Sequence, residues 1–270
     1  MNGYNRKSEP IMAENQQQGY GGNPYYQNDN NYNNQHNNQA AKIDIEQGGF
    51  NSKEEVTNMM RMGFIRKVYG ILSLQLALTV SLMSLAFIPS FKTFLQTNMA
   101  LFWVAMVLSL VIIIPLVCFK QLARGFPQNY ILLFLWTLCE SYMLATAVSF
   151  YDPQIVMLAG VLTFGVTASL TLYACTTKTD FTVCGGFLFC CVAILFMWGI
   201  FSIIFGFIAN TLYCILGLIV YSLYLIYDTQ LVMGKFGSEF DIDDYVYAAL
   251  NIYIDIIQIF LYILQILGRR

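Results

Sequence analysis

The sequence predicts an all-α membrane protein, a bundle of seven transmembrane helices behind a disordered N-terminal tail. Three observations predict it. Apolar runs of about 20 residues recur along the chain, and that length spans a hydrocarbon core of ~30 Å. Charges are confined mostly to the short gaps between runs, whereas a soluble core of this size would carry charges every few residues. The first 60 residues are instead polar, rich in Asn, Gln, Gly and Tyr.

The tail, residues 1–60, includes the stretch NQQQGYGGNPYYQNDNNYNNQHNNQ. With almost no aliphatic residues it cannot bury enough surface to offset its ordering entropy. Its aromatic and Asn/Gln content can support weak self-association, and Asn23 to Tyr26 (Asn-Pro-Tyr-Tyr) is a weak candidate for a short partner motif. The polar N-terminus has no signal-peptide pattern, so the first apolar run would itself direct insertion. The membrane domain is read as residues 61–270.

The predicted spans are Val68–Ile88, Met99–Phe119, Asn129–Phe150, Ile155–Cys175, Phe181–Ile204, Thr211–Met233 and Tyr245–Leu267. The gaps between them are short, which makes consecutive helices antiparallel neighbours. With the N-terminus in the cytosol, the cytosolic flanks hold Arg61, Arg66, Lys67, Lys120, Arg124, Lys178 and Lys235. The opposite side holds Lys92, Arg269 and Arg270, and the bias predicts that orientation. The terminal Arg269-Arg270 is discordant and leaves open a last segment that dips in and returns.

Composition excludes several functions. A net charge of -2 argues against nucleic-acid binding. The single histidine, His36, lies in the tail, so no membrane site uses imidazole. The seven cysteines fall in or beside apolar runs and read as small buried hydrophobes, with neither disulfide nor zinc spacing. There is no Walker loop, no HExxH and no Ser-His or Cys-His pair in the membrane region, so the protein is not read as an enzyme. Tyr227-Asp228 fits half of an intramembrane aspartyl protease pattern, but Asp255 lies in Tyr-Ile-Asp-Ile without the glycine that the other half needs.

Carboxylates inside the spans carry the chemistry, because a charge in lipid is costly and is usually kept for use. There are three: Glu140, Asp228 and Asp255. Asp228 closes the sixth run and Asp255 lies in the middle of the seventh. At about 1.5 Å per residue from the shared loop, the two lie roughly 9 Å and roughly 16 Å deep, within reach of each other across a hairpin. Two carboxyls in contact at low dielectric tend to share a proton and titrate as a pair, the physical basis of a pH-sensitive latch.

Polar neighbours extend this pattern. Asn251, Asp255, Gln258 and Tyr262 are spaced by four, three and four residues, one helical face that should look into the bundle. Polar residues of this kind also serve as interhelical hydrogen-bonding glue. Tyr221, Tyr224 and Asp228 share a face of the sixth span, where the tyrosine hydroxyls could donate to the carboxylates. Glu140 reads as a proton or cation ligand or as the partner of a basic side chain, Lys120 and Arg124 being nearest. The acidic loop with Glu239, Asp241, Asp243 and Asp244 lacks the spacing and central glycine of an EF-hand and reads as a solvated loop able to gather cations.

Several segments together resemble the Bax inhibitor motif family, specifically its Lifeguard branch. Phe64-Ile-Arg-Lys-Val-Tyr69, with Leu72, Leu74, Gln75 and Thr79 after it, resembles the opening of that family's first span. Arg124-Gly-Phe-Pro-Gln-Asn129 is similar to its basic loop, and Cys139-Glu-Ser-Tyr142 to its third span. Leu225-Ile-Tyr-Asp-Thr-Gln230 and Asp244-Tyr-Val-Tyr-Ala-Ala-Leu-Asn-Ile-Tyr-Ile-Asp255 resemble its sixth span and C-terminal signature. The match runs from about residue 50 to the C-terminus. The Asn-rich tail departs from the Pro-, Gly- and Tyr-rich tails common in the branch.

The resemblance implies a Bax-inhibitor-type bundle with one central helix surrounded by the others. It also implies a pH-sensitive calcium leak across an intracellular membrane, endoplasmic reticulum or Golgi, and a role in restraining cell death. In that reading Asp228 and Asp255 form the pH-sensing pair and Arg124 acts with them as a latch. The expected partners are the bilayer, calcium ions passing the two aspartates, protons as regulator and other membrane proteins. No resident cofactor is expected. The alternatives are a proton-coupled cation exchanger and a non-conducting regulator that works through protein partners.

Overall fold

A computed structural model describes residues 26–205, 211–237 and 240–269, with side chains from residue 55 onward except Lys120 and residues 203–205. Asn23 to Tyr25 of the Asn-Pro-Tyr-Tyr motif, Glu239 and Arg270 therefore lie outside the described residues, as do the side chains of Tyr26, His36 and Lys120. The chain divides into two units, Met1–Val56 and Thr57–Arg270. In the first, the backbone is helical from Tyr26, inside the segment that composition reads as disordered.

The described residues form nine α-helices: α1 (Tyr26–Leu85), α2 (Pro89–Thr97), α3 (Met99–Cys118), α4 (Lys120–Arg124), α5 (Gln128–Val148), α6 (Pro153–Thr176), α7 (Gly185–Phe205), α8 (Thr211–Met233) and α9 (Tyr245–Leu267). A 3₁₀ turn, Thr182–Cys184, leads into α7. Among the described residues seven helical stretches are long and apolar enough to cross a membrane: the Glu55–Leu85 part of α1, then α3, α5, α6, Thr182–Ser202 (the 3₁₀ turn with most of α7), α8 and α9. The bounds of α8 and α9 are those read from the sequence. The helix that carries the first span is also helical on the N-terminal side of Val68.

Two of the gaps are themselves helical. Pro89 occupies the first helical position of α2, where its missing N–H costs nothing, and Ile88 before it is extended as a pre-proline residue should be. Gln96 Nε2 donates to the Ser149 carbonyl at 2.8 Å and ties α2 to the end of α5. The short α4 carries Arg124 in its only turn.

α9 is the central helix. More than half of its span is buried, the largest share of the seven. Ala248, Ala249 and Leu250 are consecutive and buried, which only a helix covered on several sides allows. It packs on α8, α6, α5 and α4. It is also unbroken over 23 residues, long enough to cross the bilayer in one pass. α1 lays a stripe of Phe64, Val68, Leu72, Gln75 and Thr79 into the bundle, at spacings of three and four that keep one face inward.

Candidate functional site

The site is built on the extensively packed α8–α9 hairpin. The loop between them turns at Gly234 (φ 63°) and Gly237 (φ 80°), left-handed positions that favour glycine. Asp228, on α8, is 4% exposed, and Asp255, on α9, is 3% exposed. The two carboxyls lie against each other. Asp255 Oδ2 is buried with no hydrogen-bond partner. The hairpin register that the sequence implies therefore brings the aspartates together, and among the described residues no arginine or lysine lines their cavity.

Both aspartates line a cavity of about 350 Å³, with Tyr221, Tyr224, Asn251 and Tyr247 in its walls. The tyrosines form a ladder along the hairpin. Tyr213 meets Tyr262 at 5.9 Å between ring centroids, Tyr262 meets Tyr221 at 5.9 Å, Tyr221 meets Tyr224 at 6.2 Å, and Tyr224 meets Tyr227 at 6.2 Å. Of the expected polar face of α9, Asn251 and Asp255 reach the cavity and Tyr262 joins the ladder. Gln258 is half-buried and does not line the cavity.

Arg124 stands elsewhere. Its Nε donates to Asp244 Oδ1 at 2.7 Å and its Nη2 to Asp244 Oδ2 at 2.8 Å and to Asp241 Oδ2. Those bonds, Asp244's first and Asp241's second, hold the guanidinium above its already high ordinary pKa. In this structure Arg124 clamps the entry to α9, and none of these bonds reaches Asp228 or Asp255. The physical reason is distance along the chain: Asp244 precedes the first residue of α9, at the level of α4, whereas Asp255 lies three turns further in.

Asp241 and Asp244 line a second cavity of about 300 Å³. Phe240 and Tyr247 wall both cavities and meet edge-to-face at 5.8 Å. A second arginine holds this corner: Arg61 Nη1 donates to the Phe240 carbonyl at 2.8 Å and Nη2 to the Leu231 carbonyl. Sequence reasoning singled out none of Arg61, Phe240 or Tyr247 as site residues. From sequence Arg61, the first cation of the membrane domain, reads as a topology signal.

Gln230, two residues after Asp228, is fully buried. Its Nε2 donates to the Thr179 carbonyl at 2.9 Å, and its Oε1 accepts from Phe181 N–H at 2.8 Å. One side chain thereby pins the α6–α7 connection to the end of α8. Glu140, expected near a basic residue, instead accepts a hydrogen bond from Ser109 Oγ of α3 at 2.6 Å and does not line the aspartate cavity. Among the described residues no group of three or more His, Cys, Asp or Glu side chains is arranged to hold a metal ion.

Residues 61–270 match the sequence model of the family described as "Inhibitor of apoptosis-promoting Bax1". Protein lifeguard 3 of Homo sapiens is 38% identical over 218 residues, which cover 78% of this chain and 70% of that protein. Protein lifeguard 3 of Mus musculus is 37% identical over the same length and the same shares. The Golgi anti-apoptotic protein of vaccinia virus (strain Lister) is 37% identical over 213 residues, 77% of this chain and 86% of that protein. The matched region holds the whole of the site, and with the seven-helix bundle it establishes that the chain belongs to the Bax inhibitor motif family of membrane proteins, in its Lifeguard branch.

Proposed function

We propose that this protein is a proton-regulated calcium leak of an intracellular membrane, and that through it the protein restrains cell death. The observation that carries the reading is the contact of two buried carboxyls, Asp228 and Asp255, on neighbouring spans in one cavity. A buried carboxyl pair has two chemical uses in a membrane: it binds protons as a coupled unit, and it offers oxygen ligands to a cation. Calcium takes 6–8 oxygen ligands, so two carboxyls, Asn251 and water suit a passing ion rather than a resident one. Protonation of the pair removes the charge that attracts the cation, which couples flux to pH without catalysis.

The vaccinia relative is named a Golgi anti-apoptotic protein, which supports an anti-apoptotic role in Golgi or endoplasmic reticulum for this chain. The lysine and arginine bias supports a cytosolic N-terminus. The test is the full chain in liposomes with an entrapped calcium dye, at acidic and neutral pH. Calcium entry that changes with pH and needs no proton gradient is the expected result. Entry that requires the proton gradient would make the protein an exchanger, and no entry at either pH would leave it a regulator of other membrane proteins.

A further inference from the structure

The bundle carries a second acidic centre that the aspartate cavity does not include. α3 presents four buried residues, Ala105, Ser109, Ile112 and Leu116, spaced by four, three and four. That single face packs chiefly on α5 and α4. Ser109 is the one polar member of the stripe, and its Oγ donates to Glu140 Oε1 at 2.6 Å, at the short end of the hydroxyl–oxygen range. A hydroxyl on an otherwise apolar seam, opposite a carboxyl on the next helix, is a specific pairing rather than packing.

The groups that face Glu140 decide what the carboxyl does. Ser109 from α3 is in hydrogen-bond contact with it, and Tyr253 from α9 and Cys139 from its own helix lie within electrostatic reach. Among the described residues no lysine, arginine or histidine acts on it. Next to it in sequence, Thr137 and Ser141 belong to a separate hydrogen-bonded cluster. Thr79 Oγ1 meets Ser141 Oγ at 2.9 Å and Tyr253 Oη at 2.8 Å, and Gln75 Nε2 donates to Thr137 Oγ1 at 3.0 Å. Among the described residues no hydrogen bond runs from this cluster to Glu140. A carboxylate offers about four acceptor sites, and one hydroxyl meets one of them. In a membrane span that shortfall is costly, and a proton removes it.

We propose that Glu140 and Ser109 form a proton-binding site, separate from the aspartate pair, at the seam where α3 docks on α5. The ligand is the proton itself, taken up by the carboxylate to give a neutral acid that keeps the Ser109 hydrogen bond. Tyr253 lies within electrostatic reach of Glu140 and two residues from Asp255, so the site's charge is felt by the central helix. This inference does not need the calcium reading to hold.

Infrared difference spectra of the full chain in phosphatidylcholine vesicles, parent minus Glu140→Gln, test it across pH. The expected result is a carboxylic-acid carbonyl band in the parent that is absent in Glu140→Gln and fades as pH rises. Ser109→Ala should move that band to higher wavenumber, because its carbonyl loses a hydrogen bond. Asp228→Asn and Asp255→Asn should leave it in place. A difference spectrum without that band at every pH overturns the site. So does a band unmoved by Ser109→Ala, a reading that stands even if Glu140→Gln does not fold. A band abolished by Asp228→Asn would merge Glu140 with the aspartate pair and end its separateness. Calcium flux enters none of these outcomes, so loss of the leak reading leaves them intact.

Discussion

Gly217 of α8 lies directly beneath the ring of Tyr262 of α9, so close that a Cβ at Gly217 would fall inside the ring's van der Waals surface. The contact sets how near the two site-bearing helices come. Gly217→Ala should therefore push α8 off α9 and cost about 1–3 kcal/mol, the usual penalty of overpacking. A lowered thermal midpoint of the purified protein in detergent is the expected reading. Tyr262→Leu in the same background should recover part of the loss. A midpoint unchanged by Gly217→Ala would mean that the helices are not held at this spacing.

Gln230 satisfies one backbone donor and one backbone acceptor of the α6–α7 connection. Gln230→Leu keeps the volume but orphans both, at about 1–3 kcal/mol for a buried polar group left unpaired. Gln230→Glu keeps an acceptor for Phe181 N–H and loses the donor to the Thr179 carbonyl. Thermal unfolding should rank the parent above Gln230→Leu. Equal stability of the two would show that the connection does not depend on this side chain.

Arg124 clamps Asp241 and Asp244 just before α9, and Asp244's carbonyl accepts the Ala248 N–H at 2.9 Å in the first turn. Arg124→Ala should loosen that turn and raise amide exchange around Tyr245 to Ala248 several-fold. Arg124→Lys should rescue only in part, because an ammonium cannot reproduce the bidentate grip. The pH sign follows from the raised guanidinium pKa. A cation whose folded pKa is raised contributes fully below its unfolded value, about 12.5 or higher for arginine, and loses that contribution only above it. The arginine's own charge is thus constant from acidic to neutral pH. Arg124→Ala should change the level of any flux while leaving the shape of its pH profile. A profile that flattens in this variant would return Arg124 to the role of pH-sensing latch.

The sequence and the structure agree where one physical constraint dominates. Bilayer thickness fixes the apolar run length, so the sixth and seventh spans were legible to the residue. The aspartate pair was legible because a short loop fixes the register of a hairpin. Other features depend on which face of a helix meets which neighbour, and hydropathy does not carry that. Arg124 reads as a topology signal until Asp244 is seen beside it. Thr79, Ser141 and Tyr253 are mild polar residues in three different spans, and nothing in their spacing announces that their hydroxyls meet. The nine-residue amphipathic helix Pro89–Thr97 reads as a loop by composition, because it is short and polar between two apolar runs.

The aspartate pair gives the most direct prediction. Asparagine at either position keeps the shape of the side chain and cannot take up or release a proton, so each single replacement ends both the mutual repulsion and the shared proton. The rest of the cavity, with Tyr221, Tyr224 and Asn251, stays in place. Asp228→Asn and Asp255→Asn should therefore each give calcium flux in liposomes that is equal at acidic and neutral pH. The two variants should agree, because a coupled pair loses its character with either member. If both keep the parent's pH profile, the carboxyls serve as interhelical glue and proton control resides elsewhere in the bundle.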